Sequence, residues 1–171
     1  SATANDLTKY FSDMERLNTN ILPHYTSTSH LGWNGNNFVP YTGDMKFDGE
    51  DENATLYQAL TQSGELSDWI NFMKPLRQNL YFRLIMAASF SSPLIQRCGC
   101  LPYWFHLWGT SGTGKTVALM ASMSVWGNPQ MGKLTRTLNA TKNALMSTVS
   151  MLYNLPFAGD ELQTIKNNFG T

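Results

Sequence analysis

Gly109-Thr110-Ser111-Gly112-Thr113-Gly114-Lys115-Thr116 fits the pattern G-x-x-x-x-G-K-[ST] at every position. This spacing suits a polyphosphate. The three glycines permit turns and a close backbone approach that a side chain would block, so that consecutive N–H groups can face an anion. Lys115 adds a point charge that reaches the β- and γ-phosphates, which also makes it a catalytic candidate, and the Thr116 hydroxyl is a ligand for magnesium. The stretch therefore predicts a nucleoside triphosphate site for ATP and Mg2+, built from Gly109, Thr110, Ser111, Gly112, Thr113, Gly114, Lys115 and Thr116. The competing reading is a Gly/Thr-rich turn that binds nothing.

The flanks predict the setting such a loop requires. Tyr103-Trp104-Phe105-His106-Leu107-Trp108 is a short apolar, aromatic-rich run bounded by Pro102 and Gly109, and it reads as a buried strand with His106 packed and hydrogen-bonded inside it. After the loop, Lys115 to Trp126 carries Val117, Ala118, Leu119, Met120, Ala121, Met123 and Val125 and reads as a helix, with Gly127 as its C-cap and Pro129 beyond it. Strand, glycine loop and helix together aim backbone N–H groups and a helix N-terminus at one anion.

A second constellation, Leu155-Pro156-Phe157-Ala158-Gly159-Asp160-Glu161, is an apolar run ending in two adjacent carboxylates. It has the form of a Walker B strand, in which Asp160 would hold the magnesium shell and Glu161 would polarise the attacking water as a catalytic residue. Apolar-then-acidic is also how many strands meet solvent, so spacing has to decide. Between the two motifs there is room for one helix, a strand near Lys133 to Leu138, and a second helix from about Thr141 to Leu152. That order puts the carboxylates at the end of a third strand, where P-loop ATPases of the additional-strand, catalytic-glutamate class keep them.

With these residues in view, the chain resembles the bacterial domain of unknown function 927 family, whose second half carries a P-loop. The resemblance runs through His30-Leu31-Gly32-Trp33, Phe38-Val39-Pro40, Phe47-Asp48-Gly49, Leu66-Ser67-Asp68-Trp69, His106-Leu107-Trp108-Gly109, Ser124-Val125-Trp126-Gly127-Asn128-Pro129, Asn139-Ala140-Thr141 and Asp160-Glu161-Leu162. Only the phosphate loop and the Asp-Glu pair are chemically diagnostic. Proteins of this family are associated with prophages, plasmids and other mobile elements and are often labelled helicase-like or primase-associated. The resemblance thus implies an ATPase that works on DNA, which no residue discussed so far indicates by itself.

Composition sets the outer bounds. The 171 residues are 42% hydrophobic, ample for a core and against general disorder. Apolar stretches are interrupted within a few residues and Ser1-Ala2-Thr3-Ala4-Asn5 lacks the regions of a signal peptide, so the expectation is a cytoplasmic protein with no membrane span. Twelve basic and 12 acidic side chains give a formal charge of zero, without the basic footprint of a protein that grips DNA through its own surface. Lys133, Arg136 and Lys142 form a thin cluster that reads as a solvated face. DNA contacts are therefore expected elsewhere in a longer protein, or in the central channel of a homo-oligomer. Cys98 and Cys100 are too close in sequence for an unstrained disulfide, and His24, His30 and His106 show no ligand spacing around them, so two free thiols are expected.

The region before the loop reads as a separate, mostly helical module over 1–100, preceding an incomplete P-loop core over 101–171. Leu7, Tyr10, Phe11, Met14 and Leu17 repeat at helical spacing and predict a core-facing amphipathic helix over Asp6 to Leu17. Asn34-Gly35 predicts a type I′ hairpin turn between His30-Leu31-Gly32-Trp33 and Asn37-Phe38-Val39. Gly43 to Asn53 reads as an acidic surface loop without calcium-binding spacing. Helices follow over Glu65 to Gln78, bent by Pro75, and Leu80 to about Arg97, kinked near Pro93. The expected architecture is thus α/β: a P-loop NTPase three-layer core, cut after the Walker B strand, behind a helical module with a β-hairpin. The strand that normally follows Walker B, and any arginine finger, have no sequence to come from before Thr171. Either the P-loop and Walker B strands pair directly or they borrow a strand from another copy, and this piece alone should hydrolyse ATP slowly or undetectably. The motor reading competes with a P-loop phosphotransferase and with a nucleotide-gated assembly module that does no chemistry.

Overall fold

The computed structural model describes residues 2–49 and 54–161. In chain order the elements are α1 (Ala2–Leu17), β1 (Ser27–Thr28), β2 (Gly32–Asn34), β3 (Asn37–Val39), β4 (Lys46–Phe47), α2 (Ala54–Ala59), α3 (Leu66–Leu76), α4 (Leu80–Arg97), α5 (Lys115–Met123), β5 (Thr135–Thr137), α6 (Lys142–Met151) and β6 (Ala158–Asp160). Helices and short two-stranded sheets make this a mixed α/β protein.

The part nearest the phosphate-loop sequence is a β-α-β unit. β5 and β6 run parallel, with Thr135 opposite Ala158 and Thr137 opposite Asp160, and α6 makes the crossover between them. The helix starts where Thr141 accepts a hydrogen bond from Ala144 N at 3.3 Å through its side chain, an N-cap that satisfies one of the free N–H groups of the first turn. The strand expected near 133–138 and the helix expected from 141 to 152 are therefore present. Gly159 is a glycine for lack of space: a Cβ there would sit 2.6 Å from the Leu138 side chain.

One core joins both halves of the chain. Leu31, Phe38 and Val39 of the hairpin region pack with Leu56, Ala59 and Leu60 around α2 and with Met123, Trp126, Leu134, Met151, Leu155 and Ala158. A second cluster, Met73, Phe82, Met86 and Ala121, seats α3 and α4 against α5. At the start of α4, the Asn79 side chain caps by accepting from Tyr81 N at 2.8 Å and Phe82 N at 3.2 Å. Trp126 is anchored through its indole N–H, which donates to Ser89 Oγ at 2.8 Å, while Ser89 donates on to Ser122 O at 2.8 Å.

Several expectations need correction. The run Tyr103–Trp108 forms neither strand nor buried layer: Trp104 is 87% and Trp108 86% exposed, and His106 is exposed rather than packed. Strand-forming residues make a strand only beside a partner edge, and no described strand lies against this one. α1 is helical and starts earlier than expected, but it is not core. Leu7, Tyr10, Phe11, Met14 and Leu17 all remain exposed. The helix after the loop ends at Met123, with Ser124 rather than Gly127 as its C-cap. Gly127 serves close approach instead, since a Cβ there would fall 2.1 Å from Ala59 O. The hairpin is present, one residue out of the expected phase: Asn34 pairs with Asn37, so Gly35 and Asn36 form the loop. Gly35 has φ +60° and Asn36 is not left-handed, the sign pattern of a II′ turn rather than I′. In the loop after Gly43, Lys46–Phe47 pairs in parallel with Ser27–Thr28, while Glu50, Asp51 and Glu52 lie outside the described residues. The helices over 66–76 and 80–97 fall where expected, with Pro75 and Pro93 inside them.

Candidate functional site

The loop 109–114 connects the exposed aromatic segment to the first residue of α5. Three of its glycines adopt backbone that other residues avoid: φ is +150° at Gly109, +79° at Gly112 and +81° at Gly114. Gly114 is the N-cap of α5, and the helix begins with Lys115, so the positive end of the helix dipole opens onto the loop. Cβ atoms built on Gly112 and Gly114 would meet nothing within 4 Å, so these glycines are required by their dihedral angles and the space above them is open.

The Lys115 side chain folds back over this loop. Its Nζ donates to Thr110 O at 2.6 Å and Gly109 O at 2.9 Å and lies 3.4 Å from Thr113 Oγ1. Thr113 Oγ1 donates to Thr110 O at 2.9 Å, which ties the loop across itself. The ammonium group is therefore held over the loop by neutral carbonyls. An anionic oxygen would compete well for it, because charge-assisted hydrogen bonds are about twice as strong as neutral ones.

The two sequence motifs meet in one contact. Thr116 Oγ1 donates to Asp160 Oδ2 at 2.7 Å, across 44 residues of sequence. The other carboxylate oxygen, Asp160 Oδ1, accepts from Glu161 N at 2.9 Å. Asp160 ends β6, whose pairing with β5 fixes where the carboxylate points. Glu161 follows with φ +62°, a left-handed backbone that costs a non-glycine residue about 1 kcal/mol and re-aims its side chain away from the strand direction.

One hydroxyl and one carboxylate make an all-oxygen donor pair. Magnesium keeps several waters and takes one or two carboxylates plus substrate phosphates, so the pair fits that ion held jointly with a nucleotide. Among the described residues there is no cluster of three or more His, Cys, Asp or Glu that could form an all-protein cage. Cys98 and Cys100 are exposed and free.

Thr116 and Asp160 thus bring the two motifs together, with Lys115 folded over the same loop and Glu161 beside Asp160. The sequence offers no sign of what borders this site: a cavity of about 710 Å³ lined by the aromatic segment, by Leu119 and Ser122 of α5, and by β6 with Asp160 and Glu161. Nor does it single out Thr113 as a partner for Lys115, since its position in the motif accepts any residue. Both depend on tertiary placement. No helix among the described residues is long and apolar enough to cross a membrane.

No curated protein and no solved structure matches the chain. The profile of one family, described as domain of unknown function (DUF927), matches residues 1–170. The chain therefore belongs to the DUF927 family.

Proposed function

We propose that the site binds ATP with Mg2+ and serves hydrolysis of the γ-phosphate in a helicase-like motor of a mobile element or prophage. The carrying observation is the Thr116–Asp160 contact. A glycine-lysine-threonine turn alone could bind nothing, but a turn whose hydroxyl meets the carboxylate of the second motif offers both halves of a metal shell. Backbone N–H groups of 112–116 and the Lys115 ammonium take the phosphate oxygens, and Thr116 and Asp160 would hold the metal. Magnesium, when bound, neutralises the charge that develops on the β- and γ-oxygens. Glu161 accepts a proton from the attacking water, the role for which a carboxylate next to the metal shell is suited.

The DNA-directed part of this reading rests on the resemblance to mobile-element proteins, because a formally neutral chain supplies little phosphate-binding charge of its own. The DNA contacts would then lie in other parts of a longer protein, or in the central channel of a homo-oligomer where the few basic side chains of several subunits converge.

The test is ATP hydrolysis by the full-length protein with and without single-stranded DNA, beside Glu161→Gln. The expected result is DNA-stimulated release of phosphate that falls about 100-fold or more in the variant while ATP binding persists. Phosphate delivered to a small acceptor instead of water would make the protein a phosphotransferase. Tight, Mg2+-dependent ATP binding without turnover would make it a nucleotide-gated assembly module.

A further inference from the structure

Cys98-Gly99-Cys100 lies where α4 ends and the segment leading to the phosphate loop begins. Both thiols are exposed and free. Three backbone hydrogen bonds fix this corner: Cys98 N donates to Leu94 O at 2.8 Å, Gly99 N to Gln96 O at 3.1 Å and Cys100 N to Ile95 O at 2.9 Å. Cys98 is the C-cap of α4, and Gly99 has φ +65°, the left-handed turn that glycine adopts without a Cβ clash. Arg97, just before the corner, donates to Gly35 O at 2.5 Å and holds the last turn of α4 to the hairpin.

The turn sets how far apart the two cysteines stand. Two successive Cα steps of about 3.8 Å, bent through a left-handed residue, leave their ends roughly 5.5 Å apart. A disulfide spans about 4.4–6.8 Å between Cα atoms, so the pair is within reach of one. The Cys100 sulfur is also turned back along the chain, with its Sγ donating to Cys98 O at 3.8 Å. A bond across a single residue must close a small ring with torsions away from their preferred values, which makes it easy to reduce. Exposed, strained disulfides are the labile and exchanging kind, whereas structural ones resist reduction.

We propose that Cys98 and Cys100 act together as a dithiol that exchanges with disulfides, cycling between two free thiols and one intramolecular S–S bond. The co-reactant is a low-molecular-weight disulfide of the glutathione class. One cysteine, as its thiolate, attacks a sulfur of that disulfide, so that a mixed disulfide forms and the first small thiol leaves. The second cysteine gives its proton to solvent, attacks the protein sulfur of the mixed disulfide and expels the second small thiol. Two protein thiols are thereby oxidised to one disulfide, and one small disulfide is reduced to two thiols. The second attack is intramolecular and the left-handed turn holds the two sulfurs near each other, so the mixed form is short-lived. The exchange does not depend on whether the phosphate loop binds nucleotide.

The test incubates the full-length protein, reduced and then freed of reductant, with excess oxidised glutathione at neutral pH, and follows it by intact and peptide mass spectrometry. The peptide that contains residues 98–100 should lose the mass of two hydrogens and regain it with dithiothreitol. Cys98→Ser and Cys100→Ser should each stop at a mixed disulfide, one glutathione heavier on the remaining cysteine. Gly99→Val, which disfavours the left-handed turn, should lengthen the life of the mixed disulfide by about 10-fold. A wild-type peptide that stays reduced, or that ends as a stable mixed disulfide, would overturn the proposal. A bond formed between two molecules, or an unchanged lifetime in Gly99→Val, would overturn it as well.

Discussion

At the scale of single residues, Lys115 concentrates the chemistry. Its ammonium is held by two carbonyls of the loop, so under the proposed function the binding of a phosphate would be an exchange of acceptors. Lys115→Ala should lower the affinity for ATP·Mg2+ by roughly 10- to 100-fold, the range expected for lost hydrogen bonds to a charged group, and isothermal calorimetry reads it directly. Unchanged affinity would leave the loop a plain turn. Tyr41 shows a different kind of residue effect. Burial pushes its phenol above its ordinary pKa of 10.0, although the residue as a whole is 39% exposed, because the hydroxyl end is the part held against Trp126 O. With the folded pKa raised, the folded and unfolded states are both neutral below about pH 10 and stability is full there. Above it the unfolded chain loses its proton first and stability falls. Urea unfolding at pH 9 to 12 should show this fall, and Tyr41→Phe should make it shallower. The motif residues were legible from the sequence because each is specified by a local requirement: a φ above zero, a charge, a hydroxyl. Tyr41 was not, since nothing local to Pro40-Tyr41-Thr42 announces a partner 85 residues away.

Among elements, the hairpin and α6 show how a close approach is built. Leu31 N donates to Met151 O at 2.9 Å, and the backbone at Gly32 passes so near the end of α6 that a Cβ would lie 1.5 Å from Tyr153 O. Gly32 also has φ +85°. Gly32→Ala should therefore destabilise the protein by about 3 kcal/mol or more, because the hairpin has to lift off α6 and expose Leu31, which is fully buried. A change below about 1 kcal/mol in urea unfolding would mean that the hairpin is not anchored there. The hairpin itself could be read from Asn34-Gly35, yet its phase could not. Gly35 accepts a left-handed backbone at either central position of a two-residue turn, and the pairing of Trp33 with Phe38 on the buried face decides which. The Trp33 indole also donates to Pro93 O at 2.8 Å and lies under the Arg97 guanidinium at 4.2 Å, contacts between elements about 60 residues apart.

For the whole molecule, two apolar surfaces are left uncovered for different reasons. The face of α1 is exposed along its length, with Leu17 72% and Phe11 60% exposed, so the helix contributes little to the fold. Deleting residues 1–17 should change the unfolding free energy by less than about 0.5 kcal/mol, as for other surface changes, and a larger loss in urea unfolding would show that α1 has a packing partner. The aromatic segment 103–108 is exposed, and among the described residues no strand pairs with its edge. The sequence by itself determined the phosphate-loop motif, the β5-α6-β6 order, and the helices over 66–76 and 80–97. These follow from hydrogen bonds and apolar periodicity within a few residues. Only the tertiary structure decided that the amphipathic α1 lies outside the core, that a strand-like run stays unpaired, and that Thr116 meets Asp160. Burial and strand pairing depend on surfaces brought together from distant parts of the chain, and local periodicity carries no information about which of those surfaces arrive.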